Sequence, residues 1–170
     1  SVVNAVVLRP LPYPDADRVV AVTTFWTRTG VRGSTMSAPD FHDIREQSRS
    51  FAHLAYYWGG ETSVSVNDTA DYATPFRVTA GFFETLGIDA RSGRLFAAAE
   101  QRPGGPLAAV LTDAWWRRRF NGNPAAIGST VRFGERFYTI VGILPPGIRF
   151  PARADIYAPA WVTPETPSRS

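Results

Sequence analysis

The stretch LAAVLTDAWWRRRFNGNPAAIGSTVRFGERFYTIVGIL, residues 107 to 144, carries the clearest secondary-structure signals in the chain. The short apolar run at 107–112 predicts a strand. Thr112 is a good N-cap for a helix through the aromatic and basic residues that follow it. NGNP at 121–124 combines glycine and proline and ends that helix. The first part of the stretch therefore predicts a strand followed directly by a capped helix.

The rest of the stretch predicts a β-hairpin. Segments 129–133 and 136–144 flank Gly134-Glu135, and a glycine at the first turn position suits a two-residue type II′ turn. DIYAPAW at 155–161 predicts one more strand. This half of the chain is therefore β-rich, and we expect it to form a small lobe of its own.

The heptad AWWRRRF at 114–120 allows two interpretations. It could be a basic and aromatic strip that binds nucleic acid or a membrane surface, or an amphipathic helix. On a helix, Trp116 and Phe120 share one face, and Trp115 lies about 100° away. Burying each tryptophan ring stabilises the fold by roughly 2–3 kcal/mol, so we predict a core helix. Trp116→Ala should then unfold or aggregate the domain. The alternative to a core helix is that the heptad contacts an anionic lipid or a partner protein.

The three arginines of this heptad are predicted to remain at the surface. Arg117 and Arg118 should face away from the rings, and Arg119 should lay its aliphatic stem along Trp115. On this interpretation Arg117→Glu leaves stability nearly unchanged.

The first half of the chain predicts the element order β-α-β-β-α. Its first helix begins at Ser37, whose hydroxyl can cap free backbone N–H groups, with Asp40 completing a capping box. Apolar residues at helical spacing extend this pattern to Trp58, with a break at 48–50. The other predicted elements are strands at 18–26, 61–68 and 71–79 and a short helix at 80–87. This order indicates an α+β fold with helix packed on one face of an antiparallel sheet.

Composition narrows the chemistry that the chain can perform. It has 170 residues and a net charge of +3, and all 18 of its basic side chains are arginines. The absence of lysine excludes Schiff-base chemistry, and the absence of cysteine excludes disulfides, thiolate zinc sites and iron–sulfur clusters. A charge of +3 is modest for a nucleic-acid-binding protein.

Candidate metal and phosphate sites are weak. DFHD at 40–43 offers Asp40, His42 and Asp43, with His53 as the only other histidine. Nothing marks three converging ligands, and Asp40 is better explained as a helix cap. GVRGST at 30–35 resembles a truncated phosphate-binding loop but lacks the lysine and the full spacing, so we interpret it as a flexible loop.

Candidate catalytic residues are scattered carboxylates, any two of which could form a hydrolytic pair in the fold. They are Glu84, Glu100, Asp113, Glu135 and Asp155. No spacing favours one pair over another. We therefore predict no catalytic, cofactor-binding or metal-binding residue.

Four stretches of the sequence are informative about the family when they are considered together and in order. They are VVNAVVLRPLPYPDADRVV, SAPDFHDIREQSRSFAHLAYY, VTAGFFETLGIDARSGRLF and VLTDAWWRRRFNGNPAAIGSTVRFGERFYTIVGILPPGIRFP. Each is weak alone, but their ordered combination, over about residues 2 to 161, resembles the periplasmic core domain of MacB-type ABC transporter permeases, within the FtsX/MacB-type permease family.

This resemblance implies a domain organisation. Residues 18–90 would form the first half of a porter-like β-α-β-β lobe with an antiparallel sheet, and 91–161 a small β-rich lobe inserted into it. Residues 1–17 look like the periplasmic end of a membrane helix followed by an extended connector, and 162–170 would be a tail. The family's returning β-α-β half is not seen, so the chain resembles a fragment.

The resemblance also implies a function without catalysis. The domain would lie on the periplasmic side of the bacterial inner membrane and relay ATP-driven motion to export or extrude a substrate. ATP would be hydrolysed by a separate cytoplasmic ABC ATPase acting through the membrane helices. A second permease copy and a periplasmic partner protein are further expected partners; nucleic acid and cofactors are not expected.

Three alternatives remain open from the residues alone. One is a free-standing extracytoplasmic module that binds carbohydrate or peptide on an aromatic concave surface. Another is a hydrolase with a carboxylate pair in which one pKa is raised. The last is a nucleic-acid-binding protein, which requires one continuous stripe formed by Arg117, Arg118, Arg119, Arg132 and Arg136.

Overall fold

A computed structural model of the chain describes residues 13–14, 16–26, 30–33, 36–148, 150–151 and 153–163. The predictions for the membrane-helix end, most of the connector and most of the tail lie outside these residues. Within the described ranges, no helix is both long enough and apolar enough to cross a membrane.

Three α-helices and eleven strands make up the described fold. The helices are α1 (Ala38–Gln47), α2 (Phe82–Leu86) and α3 (Asp113–Phe120). The strands are β1 (Phe25–Trp26), β2 (Val31–Arg32), β3 (Tyr57–Gly59), β4 (Thr62–Val66), β5 (Thr69–Ala73), β6 (Pro75–Val78), β7 (Ser92–Gly93), β8 (Ala108–Leu111), β9 (Thr130–Phe133), β10 (Arg136–Ile143) and β11 (Ile156–Pro159). Short 3-10 turns occur at Ala16–Arg18 and Pro124–Ala126.

Nine of these strands form one mixed sheet in the order β3-β6-β11-β8-β10-β9-β4-β5, with β7 paired to β10 beside this path. β6 and β11 are parallel, as are β8 and β10, and the other neighbours are antiparallel. β1 and β2 form a separate hairpin. The predicted α+β class is confirmed.

The centre of the sheet is covered on both faces. Along β8, Ala109 and Leu111 pack on the side of α3, while Ala108 and Val110 pack on the side of α2. All four residues of β8 and all four of β11 are buried. A strand that is buried on both faces loses the usual alternation of polar and apolar residues, which is why 107–112 appears as one apolar run.

The strand, capped helix and hairpin predicted within residues 107–144 are confirmed in the structure. The Thr112 hydroxyl accepts a hydrogen bond from the backbone N–H of Trp115, and α3 ends at Asn121 in the left-handed conformation. The β9–β10 hairpin turns at Gly134, whose φ is 60°. These features depend on residues close together in the chain, so their local sequence was sufficient to predict them.

The predicted extension of the first helix to Trp58 is wrong. α1 begins at the cap of Ser37 as expected but ends at Gln47, and Ser48 is extended. The Ser48 hydroxyl accepts a hydrogen bond from the N–H of Ser50, which competes with helical bonding. Trp58 lies in β3, where tertiary packing replaces helical spacing as the reason for its position.

The structure also differs from the predicted strands at 71–79 and 18–26. The first is broken at Thr74 into β5, which pairs with β4, and β6, which pairs with β3 and β11. Of the second, only Phe25–Trp26 pairs as a strand. Pairing of β6 with the distant strand β11 sets the first outcome, whereas Phe25–Trp26 pairs with the nearby strand β2.

Strands from both predicted lobes share the large sheet. β4, from the predicted porter-like lobe, pairs with β9, and β6 pairs with β11, both partners coming from 91–161. Where the chain divides into lobes stays a prediction.

Candidate interaction surfaces

The rings of the α3 heptad pack into the protein core. Trp115 is fully buried and Trp116 is 8% exposed, and the Phe120 ring meets Trp115 edge-on at 6.0 Å between centroids. The indole Nε1–H of Trp116 donates a hydrogen bond to the carbonyl oxygen of Asn123 at 2.9 Å. The prediction of a core helix is therefore confirmed for both tryptophans.

The prediction that Arg117 faces away from the rings is wrong. Its guanidinium lies 5.8 Å from the Trp116 ring centroid, and its Nε–H donates to Asp113 Oδ2 at 2.7 Å. Arg91 binds the other carboxylate oxygen of Asp113 and lies 5.7 Å from the same ring. Because Asp113 stands one helical turn before Arg117, it draws the flexible side chain back over the indole.

Arg119 joins α3 to the β4–β5 hairpin. Its Nη2 donates hydrogen bonds to the backbone carbonyls of Val66 at 3.0 Å and Thr69 at 3.3 Å. Its Nε lies 4.0 Å from a carboxylate oxygen of Asp71. Arg119 therefore holds a structural position rather than lying free on the surface.

Three of the five arginines in the stripe required for nucleic-acid binding lie beside carboxylates of the same domain. Besides Arg117 and Arg119, Arg118 lies 3.7 Å from a carboxylate oxygen of Asp155, and Arg132 lies over the Phe137 ring. Positive charge that is neutralised by nearby carboxylates attracts phosphate less strongly. The stripe hypothesis is therefore disfavoured by the geometry.

The candidate carboxylates are held separately rather than as a facing pair. Glu100 is buried, accepts two hydrogen bonds from Arg94 at 2.8 and 2.7 Å, and accepts a third from the N–H of Ala97. The Arg94 hydrogen bonds are the main cause of the lowered pKa of Glu100. Such a carboxylate stays ionised and suits a structural ion pair better than proton transfer.

The pKa of Asp155 is shifted in the opposite direction to that of Glu100. Burial raises the pKa of its carboxyl, with smaller raising contributions from Asp71 and Glu61, while the N–H of Thr74 and the charge of Arg118 act in the other direction. Asp113 is bound by two arginines, and the two remaining candidates, Glu84 and Glu135, are exposed. The structure therefore gives the predicted carboxylates separate partners.

The weak metal and phosphate candidates also take structural roles. The Ser37 hydroxyl oxygen accepts the backbone N–H of Asp40 at 3.2 Å, as expected for a helix cap, and the same hydroxyl donates to the Asp40 carboxylate at 2.6 Å. The Nε2–H of His42 donates to the carbonyl oxygen of Val162 at 2.6 Å and joins α1 to that segment. In the part of the chain that the structure describes, no three potential metal ligands converge. The predicted loop at 30–35 contains β2.

A large groove, which sequence patterns did not predict, lies beside β3. It has a volume of about 1190 Å³ and runs between residues 18–23, α1 and the segment ending at Val162. Its walls include several aromatic side chains, among them Phe41, Phe51, Tyr56, Tyr57, Trp58 and Trp161. The cluster of rings at 56–58 was the available signal, and the mistaken helical extension concealed it. We refer to this feature as the aromatic groove.

The walls of the aromatic groove are ordered by contacts of Tyr56, which directly precedes β3. The Tyr56 hydroxyl donates to the carbonyl of Met36 at 2.6 Å, and its ring packs against Phe41 and Trp58 at centroid distances of 5.5 and 5.6 Å. Arg18, Arg77 and Arg136 also line the groove, against a single carboxylate, Glu84. The groove therefore combines an apolar interior with a net positive lining.

The fold and these surfaces define an α+β domain in which several charged side chains pair with one another. Comparison with known families agrees with this description: a sequence model of the MacB-like periplasmic core domain matches residues 1–169. The chain belongs to this family of periplasmic domains of ABC transporter permeases. A search of curated protein sequences finds no significant match.

Solved structures share the fold at low sequence identity. The periplasmic region of MacB from Actinobacillus actinomycetemcomitans is similar with a TM-score of 0.58 and 18% identity, over 74% of this chain and 55% of that chain. The extracellular domain of the noncanonic ABC-type transporter YknZ from Gram-positive bacteria has a TM-score of 0.58 and 16% identity, over 69% and 60% respectively.

A domain of a putative permease from Porphyromonas gingivalis is similar to the same degree, with a TM-score of 0.58 and 16% identity over 76% of this chain and 54% of that chain. This chain therefore spans slightly more than half the length of these structures. These three structures show that the fold is shared, and the sequence model that matches residues 1–169 confirms the family predicted from the ordered stretches.

Proposed function

We propose that this domain is the periplasmic part of a bacterial inner-membrane ABC transporter permease. In this proposal it relays ATP-driven motion so that a substrate is exported or extruded from the periplasmic side. ATP is hydrolysed by a separate cytoplasmic ABC ATPase that acts through membrane helices, and two permease copies work as a dimer. A periplasmic partner protein receives or contacts the moving domain.

The observation that carries this proposal is the continuous nine-stranded sheet with buried central strands. Close-packed interiors resist compression and transmit displacement, so a push at one end of such a sheet moves the other end. Arg119 extends this rigidity by holding the β4–β5 hairpin, at one end of the sheet, against α3. The domain is therefore suited to move as one body.

The test places spin labels on the full-length permease in lipid nanodiscs. Exposed Tyr72 on β5 and exposed Glu84 on α2 are the labelling positions. With ATP and vanadate, we expect distances between the two subunits to change, while the Tyr72–Glu84 distance within one subunit stays constant. Unchanged inter-subunit distances throughout the ATPase cycle would refute the relay.

A matched pair of variants tests whether Arg119 holds the β4–β5 hairpin rigidly against the rest of the domain. In Arg119→Ala, the distribution of inter-subunit distances between labels at Tyr72 should broaden. The corresponding distribution between labels at Glu84 should not, because only the hairpin is released. Arg132→Ala, also a loss of one guanidinium but on β9, the strand next to the hairpin, should leave both distributions unchanged. Equal broadening in the two variants would contradict the role given to Arg119.

The aromatic groove favours a second candidate function, a free-standing module that binds carbohydrate or peptide. Aromatic walls stack on sugar rings and pack against apolar peptide side chains. Titration of the 170-residue chain with oligosaccharides and with unstructured peptides, followed by tryptophan fluorescence and calorimetry, tests this function. Saturable binding that is lost in Trp58→Ala would support it over the motion relay.

A further inference from the structure

The neighbouring hairpins β4–β5 and β9–β10 form a four-stranded part of the sheet, in the order β10-β9-β4-β5. On one face, Val64, Val131 and Tyr138 pack into the core cluster that contains the α3 tryptophans. Side chains alternate along a strand, so the residues between these point to the opposite side. We refer to that side as the outer face. Its side chains include Ser63, Ser65, Tyr72, Thr130, Arg132 and Phe137.

Two aromatic rings of the outer face are exposed. Tyr72 is 69% exposed and Phe137 is 63% exposed. Tyr72 pairs with Ser63 on β4, whereas Phe137 pairs with Arg132 on β9. Because β5 and β10 are three strands apart, about 14 Å separates the two ring positions across the sheet. The outer face therefore offers a ligand two separate flat apolar surfaces.

The surface between the two rings is polar. Ser63 and Ser65 on β4 and Thr130 on β9 carry hydroxyls, each of which can donate and accept hydrogen bonds. The centre of a protein–protein interface is apolar and closely packed, and these hydroxyls interrupt such a centre. A carbohydrate fits better, because its C–H groups stack on aromatic faces while its hydroxyls bond to the polar groups between the rings.

Arg132 gives the outer face a positive charge. Its exposed guanidinium lies 5.7 Å from the centroid of the Phe137 ring. The only carboxylate within the four strands, Asp71, has the opposite orientation and lies 4.0 Å from Arg119. A guanidinium binds a carboxylate through two parallel hydrogen bonds, which a neutral sugar does not offer. Charge complementarity therefore favours a carbohydrate that carries carboxylates.

We propose that the outer face binds an acidic glycan, namely the glycan strands of the bacterial cell wall. The family is one of periplasmic domains, and these strands lie in the periplasm. Sugar rings stack on Tyr72 and Phe137, the hydroxyls of β4 and β9 bond the sugars between them, and Arg132 binds a carboxylate of the strand. The inference depends on the periplasmic location of the domain but not on the relay of motion, beyond which it goes.

Binding of defined glycans to the full-length permease in lipid nanodiscs tests the proposal. The acidic probe is a peptide-free glycan strand from the cell wall. The neutral probe is a chitin oligosaccharide of matched length, which has the same backbone but lacks the carboxylates. We expect calorimetry to show saturable binding of both, with the acidic strand bound at least about fivefold more tightly, because only its carboxylates engage Arg132.

Variants of the outer face separate the contributions of the rings and the charge. Phe137→Ala and Tyr72→Ala should each weaken binding of both probes on the order of tenfold, because each removes a stacking surface. Arg132→Ala should weaken binding of the acidic strand alone and make the two affinities equal. Phe25→Ala removes an exposed ring from β1 and is the matched control, which should bind both probes as the wild type does.

Four results would overturn the proposal, and all of them leave the motion relay standing because it is measured separately by spin labels. The first is a lack of saturable binding to the acidic strand. The second is equal affinity of the wild type for the two probes. The third is binding that is lost in Trp58→Ala but kept in Phe137→Ala, which would place the glycan in the aromatic groove. The fourth is photo-crosslinking from position 137 in cells that captures a protein and no glycan, which would assign the outer face to a protein partner.

Discussion

The carboxylate of Asp155 accepts a hydrogen bond from the backbone N–H of Thr74 at 3.0 Å, and the backbone N–H of Asp155 donates to the carbonyl of Thr74 at 3.0 Å. Thr74 separates β5 from β6, which belong to different parts of the same sheet. This pair of hydrogen bonds therefore fixes the point at which the chain leaves the hairpin and joins the sheet centre.

Asp155→Asn should stabilise the domain at neutral pH. Burial raises the pKa of Asp155 in the folded state, so its contribution to stability is fully present below the unfolded pKa and is lost as the pH rises through the folded pKa. An asparagine oxygen can still accept the Thr74 hydrogen bond without the cost of a buried charge.

The measurement is the melting temperature of both proteins across pH. The variant should melt higher at about pH 7, and the gap should close as the pH falls to about 4, near the ordinary aspartate pKa. A variant that melts lower than the wild type near pH 7, with the difference closing on acidification, would show that attraction to Arg118 outweighs burial.

Glu100→Gln should destabilise the domain, with the opposite pH dependence. The pKa of Glu100 is lowered, so its stabilising contribution is present above the unfolded pKa and is lost as the pH falls through the folded pKa. We expect a loss of about 2 kcal/mol at neutral pH, typical of hydrogen bonds to a charged group.

Urea unfolding measured from about pH 7 down to about pH 3 checks this prediction, and the difference from the wild type should shrink on acidification. Exposed Glu135→Gln is the control and should have little effect at any pH. A constant difference across this range would mean that packing, rather than charge, explains the loss.

Trp115→Ala should reduce the free energy of unfolding by about 3–5 kcal/mol, because it leaves a large cavity beneath α3. Trp115→Phe should cost less, since it keeps an aromatic ring in contact with Phe120. It also removes an indole N–H that is buried without a hydrogen-bond partner in the described part of the chain. Chemical unfolding of both variants makes the comparison, and equal losses would show that packing of the ring is not what stabilises this position.

Arg117→Glu should destabilise the domain more than Arg118→Glu, which revises the expectation drawn from helical spacing. The side chains are equally exposed, but Arg117 is 2.7 Å from Asp113 whereas Arg118 is 3.7 Å from Asp155. Placing a carboxylate beside buried Asp113 should cost on the order of 1 kcal/mol after solvent screening. Thermal melting at low and high salt tests this, and identical shifts for the two variants would contradict it.

Local chemistry made several elements predictable. Thr112 caps α3 because its hydroxyl and the free N–H group of Trp115 lie three residues apart. Gly134 turns the β9–β10 hairpin because a positive φ suits glycine. The inward rings of Trp115 and Trp116 followed from helical geometry and the free energy of burial, and the ordered motifs indicated the family that comparison confirmed.

Features that depend on distant partners were not predictable in the same way. The spacing of apolar residues up to Trp58 suits a helix, and only pairing with β6 makes that position a strand. The break at Thr74 requires Asp155, 81 residues later. The aromatic groove needs residues from both ends of the chain, so no single window of sequence shows it.

Interactions within about one turn of helix or one hairpin are encoded in neighbouring residues, and for this chain they specified the caps, turns, buried rings and the α+β class. The order of nine strands, the partners of Asp155 and Arg119, and the aromatic groove arose when distant segments met. Short-range geometry limits which local shapes are accessible, whereas burial and hydrogen bonding between distant segments select among those shapes, because their energies exist only after the chain has folded.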